Sequence, residues 1–395
     1  MVYSSQMRTA VGAVRASFVA AGLHRQSEIF ARHGSHSAAP DAPLILVACS
    51  GGRDSLALAQ VARIVAGSWG LRCGAIIVDH QLQKGSHAVA QQAAARCEEI
   101  GLSPVRVSTV TVEKNLVRRE GVEAAARQAR YEALVSAARK LGAAAVAVAH
   151  TRDDQVETVL LGMARSSSPM AMAGMPRSFD RNGVCFLRPF LDLSRDDTTQ
   201  ICQQNHIEWW DDPTNTPGRV DGGAGAGGAE ASFPLRSRVR QQLVPVLREV
   251  AGDAVMDHIA AMAESARKDQ DFLEEQARTA IERVCLDADG TGTDDGTDSA
   301  GSAGNRRAAS GGRGVLLERL DADALAQVPE PLRVRVERIV LERHGVAPTR
   351  ALLERIDALA TDWHGQSQVR ISSGFSVMRQ GHVIELCQDR THANS

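Results

Sequence analysis

No run of apolar residues in this 395-residue chain approaches the ~18–20 needed to cross a bilayer, so no membrane-spanning helix is expected. Nor is there a large charge of either sign. The 45 Lys and Arg residues against 47 Asp and Glu leave a formal charge of −2, so no global basic field points to nucleic acid. Any such contact has to come from a local cluster. Cysteine is sparse: seven are scattered with no C-x-x-C spacing. That excludes a zinc ribbon, a dithiol redox pair and a disulfide scaffold, and it fits free thiols in a reducing cytosol. Repeats of solenoid or propeller type are absent. What remains is an ordinary globular balance, 44% hydrophobic and 23% charged, in a chain long enough for two or three domains. Residues 11–23 faintly resemble a secretory core, but Arg15 interrupts them. An amphipathic helix is the better reading, and a cytoplasmic protein is expected.

Two stretches lack large apolar residues. Residues 216–232 contain the Gly/Ala run from Asp221 to Ala229, and residues 287–314 are rich in Gly, Asp, Ser and Thr. Neither can bury enough surface to offset the entropy of ordering, so both are expected to be linkers or loops. Before the first stretch, short apolar runs at 44–49, 73–78, 105–112 and 144–149 alternate with helical patterns at 54–66, 86–100, 122–141 and 153–163. Alternation of this kind predicts an α/β fold, a doubly wound parallel sheet whose ligands bind beyond the carboxyl ends of the strands. After the stretch, helical periodicity at 239–250, 253–284, 331–344 and 349–360 predicts a mainly helical second domain. Segments 369–372, 375–379 and 382–386 suit a small terminal β-element. The expected organisation is a helical extension at 1–39, a catalytic domain at 40–216, a Gly-rich linker at 217–232 and a mainly α-helical domain at 233–395 with an insertion at 287–314.

Directly after the first predicted strand comes Ser50-Gly51-Gly52-Arg53-Asp54-Ser55. Two glycines let the backbone turn tightly and present N–H groups to an anion, two serines add donors, and the following helix offers its positive end. No Walker lysine follows, so this is not a P-loop NTPase. Further along, Arg127 and Arg130 lie three apart on a predicted helix, and Asp154 and Glu157 lie three apart at the start of another. Each pair shares a helix face. A guanidinium suits bidentate capture of a carboxylate, and an acidic pair suits a cationic amine. Surface salt bridges explain the same spacing. Arg236, Arg238 and Arg240 form the local basic cluster, which fits either an extended segment laid along phosphates or a solvated face.

The order of these motifs carries a resemblance. Ser-Gly-Gly-x-Asp-Ser resembles the pyrophosphate loop, or PP-loop, of the ATP pyrophosphatases. The succession Val78-Asp79-His80-Gln81-Leu82, Glu123 to Tyr131, His150 to Thr158, Arg188-Pro189 and Asp212-Pro213-Thr214-Asn215 resembles the tRNA(Ile)-lysidine synthetase family over about residues 40–250. The resemblance implies a sheet of the adenine-nucleotide alpha-hydrolase-like type and an ATP-binding loop at Ser50, Gly51, Gly52, Arg53, Asp54 and Ser55. It also implies lysine binding by Arg130, Asp154 and Glu157, and tRNA binding by Arg236, Arg238 and Arg240. The implied reaction joins L-lysine to the wobble cytidine of a tRNA(Ile) with a CAU anticodon, using ATP and Mg²⁺, with Asp54 the expected metal ligand. A tRNA thiolase on the same loop and a catalytically idle tRNA-binding module are the alternatives. The first lacks the cysteines it needs, and the second is hard to square with an intact loop and acidic pair.

Other patterns are rejected. Gly223 to Gly228 matches G-x-G-x-x-G with no strand before it. Asp287, Asp289, Asp294 and Asp298 lack the closing glutamate of a calcium loop. His33 and His36 are isolated, and Cys49 reads as a small buried residue at a strand end. The chain also departs from the family pattern at Arg165-Ser166-Ser167-Ser168, where a Gly-containing turn is usual. Ser237 stands for an Asn, and Thr151 stands for a second histidine.

Overall fold

The computed structural model describes residues 3–31, 36–81, 85–113, 117–119, 121–166, 168–211, 235–286, 315–371 and 374–389. The Gly-rich stretch, the 287–314 insertion, the Asp212–Asn215 motif, His33, Leu82 and Ser167 lie outside them. The chain divides into two compact units, Met1–Arg267 and Lys268–Ser395. No helix among the described residues is long and apolar enough to cross a membrane.

The first unit begins with α1 (Ser5–Ala20), capped by Ser4, whose side chain accepts from the Met7 N–H. Met7, Ala10, Val11, Val14 and Phe18 are its buried face, so the N-terminal stretch is the amphipathic helix its pattern suggested. Then β1 (Leu44–Ala48), α2 (Arg53–Trp69), β2 (Arg72–Asp79), α3 (Ser86–Ile100), β3 (Val105–Thr109), α4 (Val122–Leu141), β4 (Ala143–Val148) and α5 (Arg152–Arg165) follow in alternation. An antiparallel hairpin, β5 (Ser178–Arg181) and β6 (Val184–Leu187), and a helix, α6 (Arg195–Gln204), come next. The sheet order is β3-β2-β1-β4-β6-β5, parallel throughout except for edge strand β5. This is the expected doubly wound sheet with one antiparallel strand added. Strand β1 (Leu-Ile-Leu-Val-Ala) runs through its centre, with Ile45, Leu46 and Val47 fully buried. That explains why it reads as continuously apolar rather than alternating.

The segment holding the basic cluster is helical, not extended. Leu235–Arg238 is a single turn, α7, which passes through a π-helical turn (Val239–Leu243) into α8 (Val244–Ala251). The helical period puts Arg236 and Arg240 on one face and leaves Arg238 exposed on another. An extended segment would have aligned all three. Helix α9 (Ala254–Val284) carries the boundary between the units.

The second unit contains β7 (Val315–Asp321), α10 (Ala322–Gln327), α11 (Glu330–Arg343), α12 (Arg350–Thr361), β8 (Val369–Ile371), β9 (Phe375–Gln380) and β10 (Val383–Gln388). Its four strands make an antiparallel sheet in the order β7-β10-β9-β8. Three of these strands were legible as a terminal β-element; β7, which begins directly after the Gly-rich insertion, was not. Leu320, Val336, Val340, Ile356, Val377 and Ile384 belong to its core.

Candidate active site

The loop after β1 is built as an anion cradle. Gly51 has φ +80°, and a Cβ there would stand 2.9 Å from the Ala93 Cβ, so only glycine fits. Gly52 is the N-cap of α2, so the loop ends where the helix presents its positive pole. Ser55 ties the turn together: its hydroxyl donates to the Gly52 carbonyl at 2.8 Å and accepts from the Ser50 N–H at 3.2 Å. The Trp210 N–H donates to the Gly51 carbonyl at 3.0 Å. Cys49 is buried beside the loop.

Asp54 lies in the first turn of α2, and Thr198 on α6 donates its hydroxyl to Asp54 Oδ1. Burial lifts the Asp54 carboxyl above its ordinary range, against the opposing Thr198 hydrogen bond and Arg53 charge. No group of three or more His, Cys, Asp or Glu that would hold a metal occurs among the described residues.

Strand β4 neighbours β1, with Ala48 paired to Val148. Two residues past Val148 stands His150, and then Thr151 caps α5. Asp154 Oδ2 accepts from the Thr151 N–H at 2.9 Å and from its hydroxyl at 3.1 Å, completing a capping box. Thr151, which departs from the family pattern, thus starts the helix that carries the acidic pair. The other Asp154 oxygen and both Glu157 oxygens face guanidinium groups. Arg195 reaches Asp154 Oδ1 at 2.7 Å and Glu157 Oε1 at 3.0 Å. Arg236 reaches Asp154 Oδ1 at 3.3 Å and Glu157 Oε2 at 3.0 Å. Arg240 reaches Glu157 Oε1 at 2.6 Å and Asp154 Oδ1 at 3.4 Å.

Burial by itself would raise both acids. The charge of Arg195, helped by Arg236, holds Asp154 down at about 2. The Arg240 hydrogen bond, with Arg195, holds Glu157 below its ordinary value. Both are therefore ionised at neutral pH. A cleft of about 230 Å³ opens beside them, lined by Asp153, Glu157, Arg195, Arg240, Arg248 and Met256 among others.

The structure therefore brings together some of the expected residues and separates others. Asp154 and Glu157 converge. Arg236 and Arg240, expected on phosphates, lie against that acidic pair. Arg130 directs its Nε at His80 Nε2, 3.4 Å away. Arg127 lies over the Tyr131 ring at 5.2 Å. Arg195 and Thr198 were missed. The signal for them was Ser194-x-x-Asp197, which forms a full capping box and fixes the start of α6 with Arg195 in its first turn.

A PP-loop domain model matches residues 25–223, and a TilS substrate binding domain model matches residues 320–383. A tRNA(Ile)-lysidine synthase of Bifidobacterium longum subsp. infantis is 47% identical over 399 residues, spanning 100% of both chains. The chain belongs to the tRNA(Ile)-lysidine synthase family. Similarity extends to the synthases of Streptomyces coelicolor, 37% identical over 88% of this chain and 86% of that one, and Leifsonia xyli, 37% identical over 94% and 98%. Membership of the lysidine synthase family favours the ligase reading over the thiolase and idle-module alternatives. The match to the TilS substrate binding domain falls within the second unit, which helical composition alone did not single out.

Proposed function

We propose that the chain is an ATP-dependent ligase that joins lysine to the C2 position of the wobble cytidine in a tRNA(Ile) with a CAU anticodon, through an adenylated tRNA. The observation that carries this reading is the placement of a phosphate cradle and an ionised acidic pair at the carboxyl ends of adjacent strands, β1 and β4. The loop N–H groups and the α2 N-terminus hold the terminal phosphates of ATP. The cytidine O2 attacks the α-phosphorus and pyrophosphate leaves. The lysine ε-amine then attacks C2, and AMP leaves with the electrons of the C2–O bond. That amine needs help, because with a pKa near 10.4 only about one molecule in 2,500 is neutral at pH 7. Asp154 and Glu157, already ionised, hold the ammonium, and they accept its proton once Arg236 and Arg240 have left them, which removes charges that keep both acids low. Arg130 completes the lysine site on this reading.

Asp54 is the residue that would hold Mg²⁺. A single carboxylate, with no acidic cluster beside it among the described residues, fits an ion bound mainly through phosphate oxygens and water, where it would screen the triphosphate charge. A tRNA substrate fits a cytoplasmic enzyme. Arg236, Arg238 and Arg240 contact tRNA phosphates, and only Arg238 is exposed for this from the outset. Arg236 and Arg240 reach phosphates by leaving Asp154 and Glu157, so tRNA docking and lysine access are coupled.

A pyrophosphate-release assay with lysine and tRNA omitted in turn tests the function. Release that needs ATP and tRNA but not lysine is expected. Asp54→Ala abolishes it in a folded protein; unchanged release in that variant overturns the ATP-site assignment.

A further inference from the structure

His150 and Arg188 belong to motifs that the scheme above leaves without a task. Arg188 follows β6, the strand beside β4, and is 5% exposed. It is held from three sides. Its backbone N–H donates to the Arg177 carbonyl at 2.7 Å, its Nη1 donates to the Pro176 carbonyl at 2.7 Å, and its guanidinium lies 4.2 Å over the Phe179 ring. From that position Arg188 Nε donates to His150 Nδ1 at 3.1 Å.

An arginine only donates, so the His150 Nδ1 is the acceptor and carries no proton. The neutral ring then has its proton on Nε2. Burial first, then the charges of Arg188, Arg127 and Arg236, outweigh the opposing charge of Asp154 and lower His150 to about 3. Such a ring is no base at neutral pH. It is a fixed, uncharged hydrogen-bond donor.

Its position indicates the acceptor. Because Ala48 pairs with Val148, Ser50 and His150 each stand two residues past a paired position, on strands about 5 Å apart. His150 thus lies beside the phosphate cradle on the chain side that continues into the acidic pair. A donor aimed at the cytidine O2 would withdraw the lone pair that has to attack. A donor aimed at the α-phosphoryl group stabilises charge that grows on its oxygens as pyrophosphate departs.

We propose that His150 is a catalytic residue that donates from Nε2 to a non-bridging α-phosphoryl oxygen during adenylation, and that Arg188 is the positioning residue that fixes its tautomer. This rests on the adenylating ligase reading. No proton is transferred by His150: the O2–P bond forms, the bond from phosphorus to the bridging oxygen breaks, and pyrophosphate carries away the electron pair.

Two measurements test this. Nitrogen NMR of the ring in the full-length protein should show the Nε2–H tautomer at pH 7 and no imidazolium down to pH 5. In Arg188→Met the two tautomers should mix. An Nδ1–H ring or an imidazolium in the wild type overturns the proposal. In single-turnover pyrophosphate release with ATP and tRNA but no lysine, His150→Phe should slow the rate about 100-fold. His150→Gln, whose amide reaches the Nε2 position, should lose no more than about tenfold, whereas His150→Asn, which reaches only Nδ1, should match Phe. Equal rates for Gln and Asn overturn the donor role. A wild-type protein that releases no pyrophosphate refutes the ligase reading instead, while the ring's tautomer still stands or falls on the NMR.

Discussion

Glu157 in the first unit and Glu337 in the second are each 1% exposed, yet they sit on opposite sides of an ordinary carboxyl. Glu157 is held low by Arg240 and Arg195 against the pull of burial. Glu337 is pushed up to about 9 by burial and by the neighbouring Asp357. Arg333, on the same helix as Glu337, forms its ion pair with Asp357, so its charge opposes the rise at Glu337 only weakly, while the Asp357 carboxylate favours the protonated, hydrogen-bonding form of Glu337. Depth is the same in the two places; what differs is whether guanidinium groups pair directly with the acid or with its acidic neighbour. The first arrangement is a charged site that a substrate cation can enter. The second is a neutral group within an apolar core.

The largest break in this comparison comes from neutralising the charged site. Glu157→Gln leaves three guanidinium groups facing one carboxylate, and unpairing a buried ion typically costs about 3–5 kcal/mol of stability. In protein that remains folded, Asp154→Asn and Glu157→Gln should each raise the KM for lysine, losing on the order of 1.5–3 kcal/mol, roughly 10- to 150-fold, with the KM for ATP little changed. An unchanged lysine KM in both variants removes the lysine-site assignment.

Glu337→Gln should act in the other direction. The wild-type group binds its proton more tightly folded than unfolded, so its contribution is fully present below pH 4.5 and is lost as pH rises toward about 9. The variant should gain ~5 kcal/mol at pH 8 and nearly nothing at pH 4.5, read from hydrogen exchange in the second unit. A gain that does not depend on pH would mean that Glu337 is charged throughout.

Acid should separate the two units without any mutation. Asp154 is lowered to about 2, so its stabilisation is present above its unfolded value of 3.8 and is lost as pH falls from there toward 2. That loss amounts to ~2 kcal/mol in the first unit, over a range where Glu337 is already protonated and contributes no penalty. Exchange rates that rise equally in both units between pH 4 and pH 2 contradict this.

The smallest effect is expected at Arg238, the exposed member of the basic cluster. Arg238→Ala should change stability by no more than ~0.5 kcal/mol, yet make the log–log salt dependence of tRNA binding shallower by roughly 0.7–0.9. Arg236→Ala and Arg240→Ala should both weaken tRNA binding and disturb the acidic pair. If all three leave the salt slope at its wild-type value, the phosphate contacts are absent.

Much of the first unit was legible in the sequence. Apolar runs such as Leu44–Ala48 are continuous because parallel strands are buried on both faces, and Gly51-Gly52 between a strand and a helix has few structural readings. The hairpin β5–β6 was harder to see. Each of its strands has only four residues, and Ser178–Arg181 is an edge strand with half its positions exposed, so its pattern is weak. Arg195 was invisible as a site residue because an arginine at a helix start looks like any surface charge until its partners, 41 and 38 positions earlier in the chain, are placed beside it.

What the sequence by itself determined is local: where strands and helices begin, which loop can cradle phosphate, and that Asp154 and Glu157 share a helical face. These follow from spacing and backbone sterics, which neighbours in the chain are enough to set. Tertiary structure alone decided which charges meet. It put Arg195, Arg236 and Arg240 onto one acidic pair, turned Arg188 toward His150 and set Arg333 on Asp357 rather than on Glu337. Electrostatic interaction depends on distances of a few ångströms between groups far apart in sequence, and only folding sets those distances.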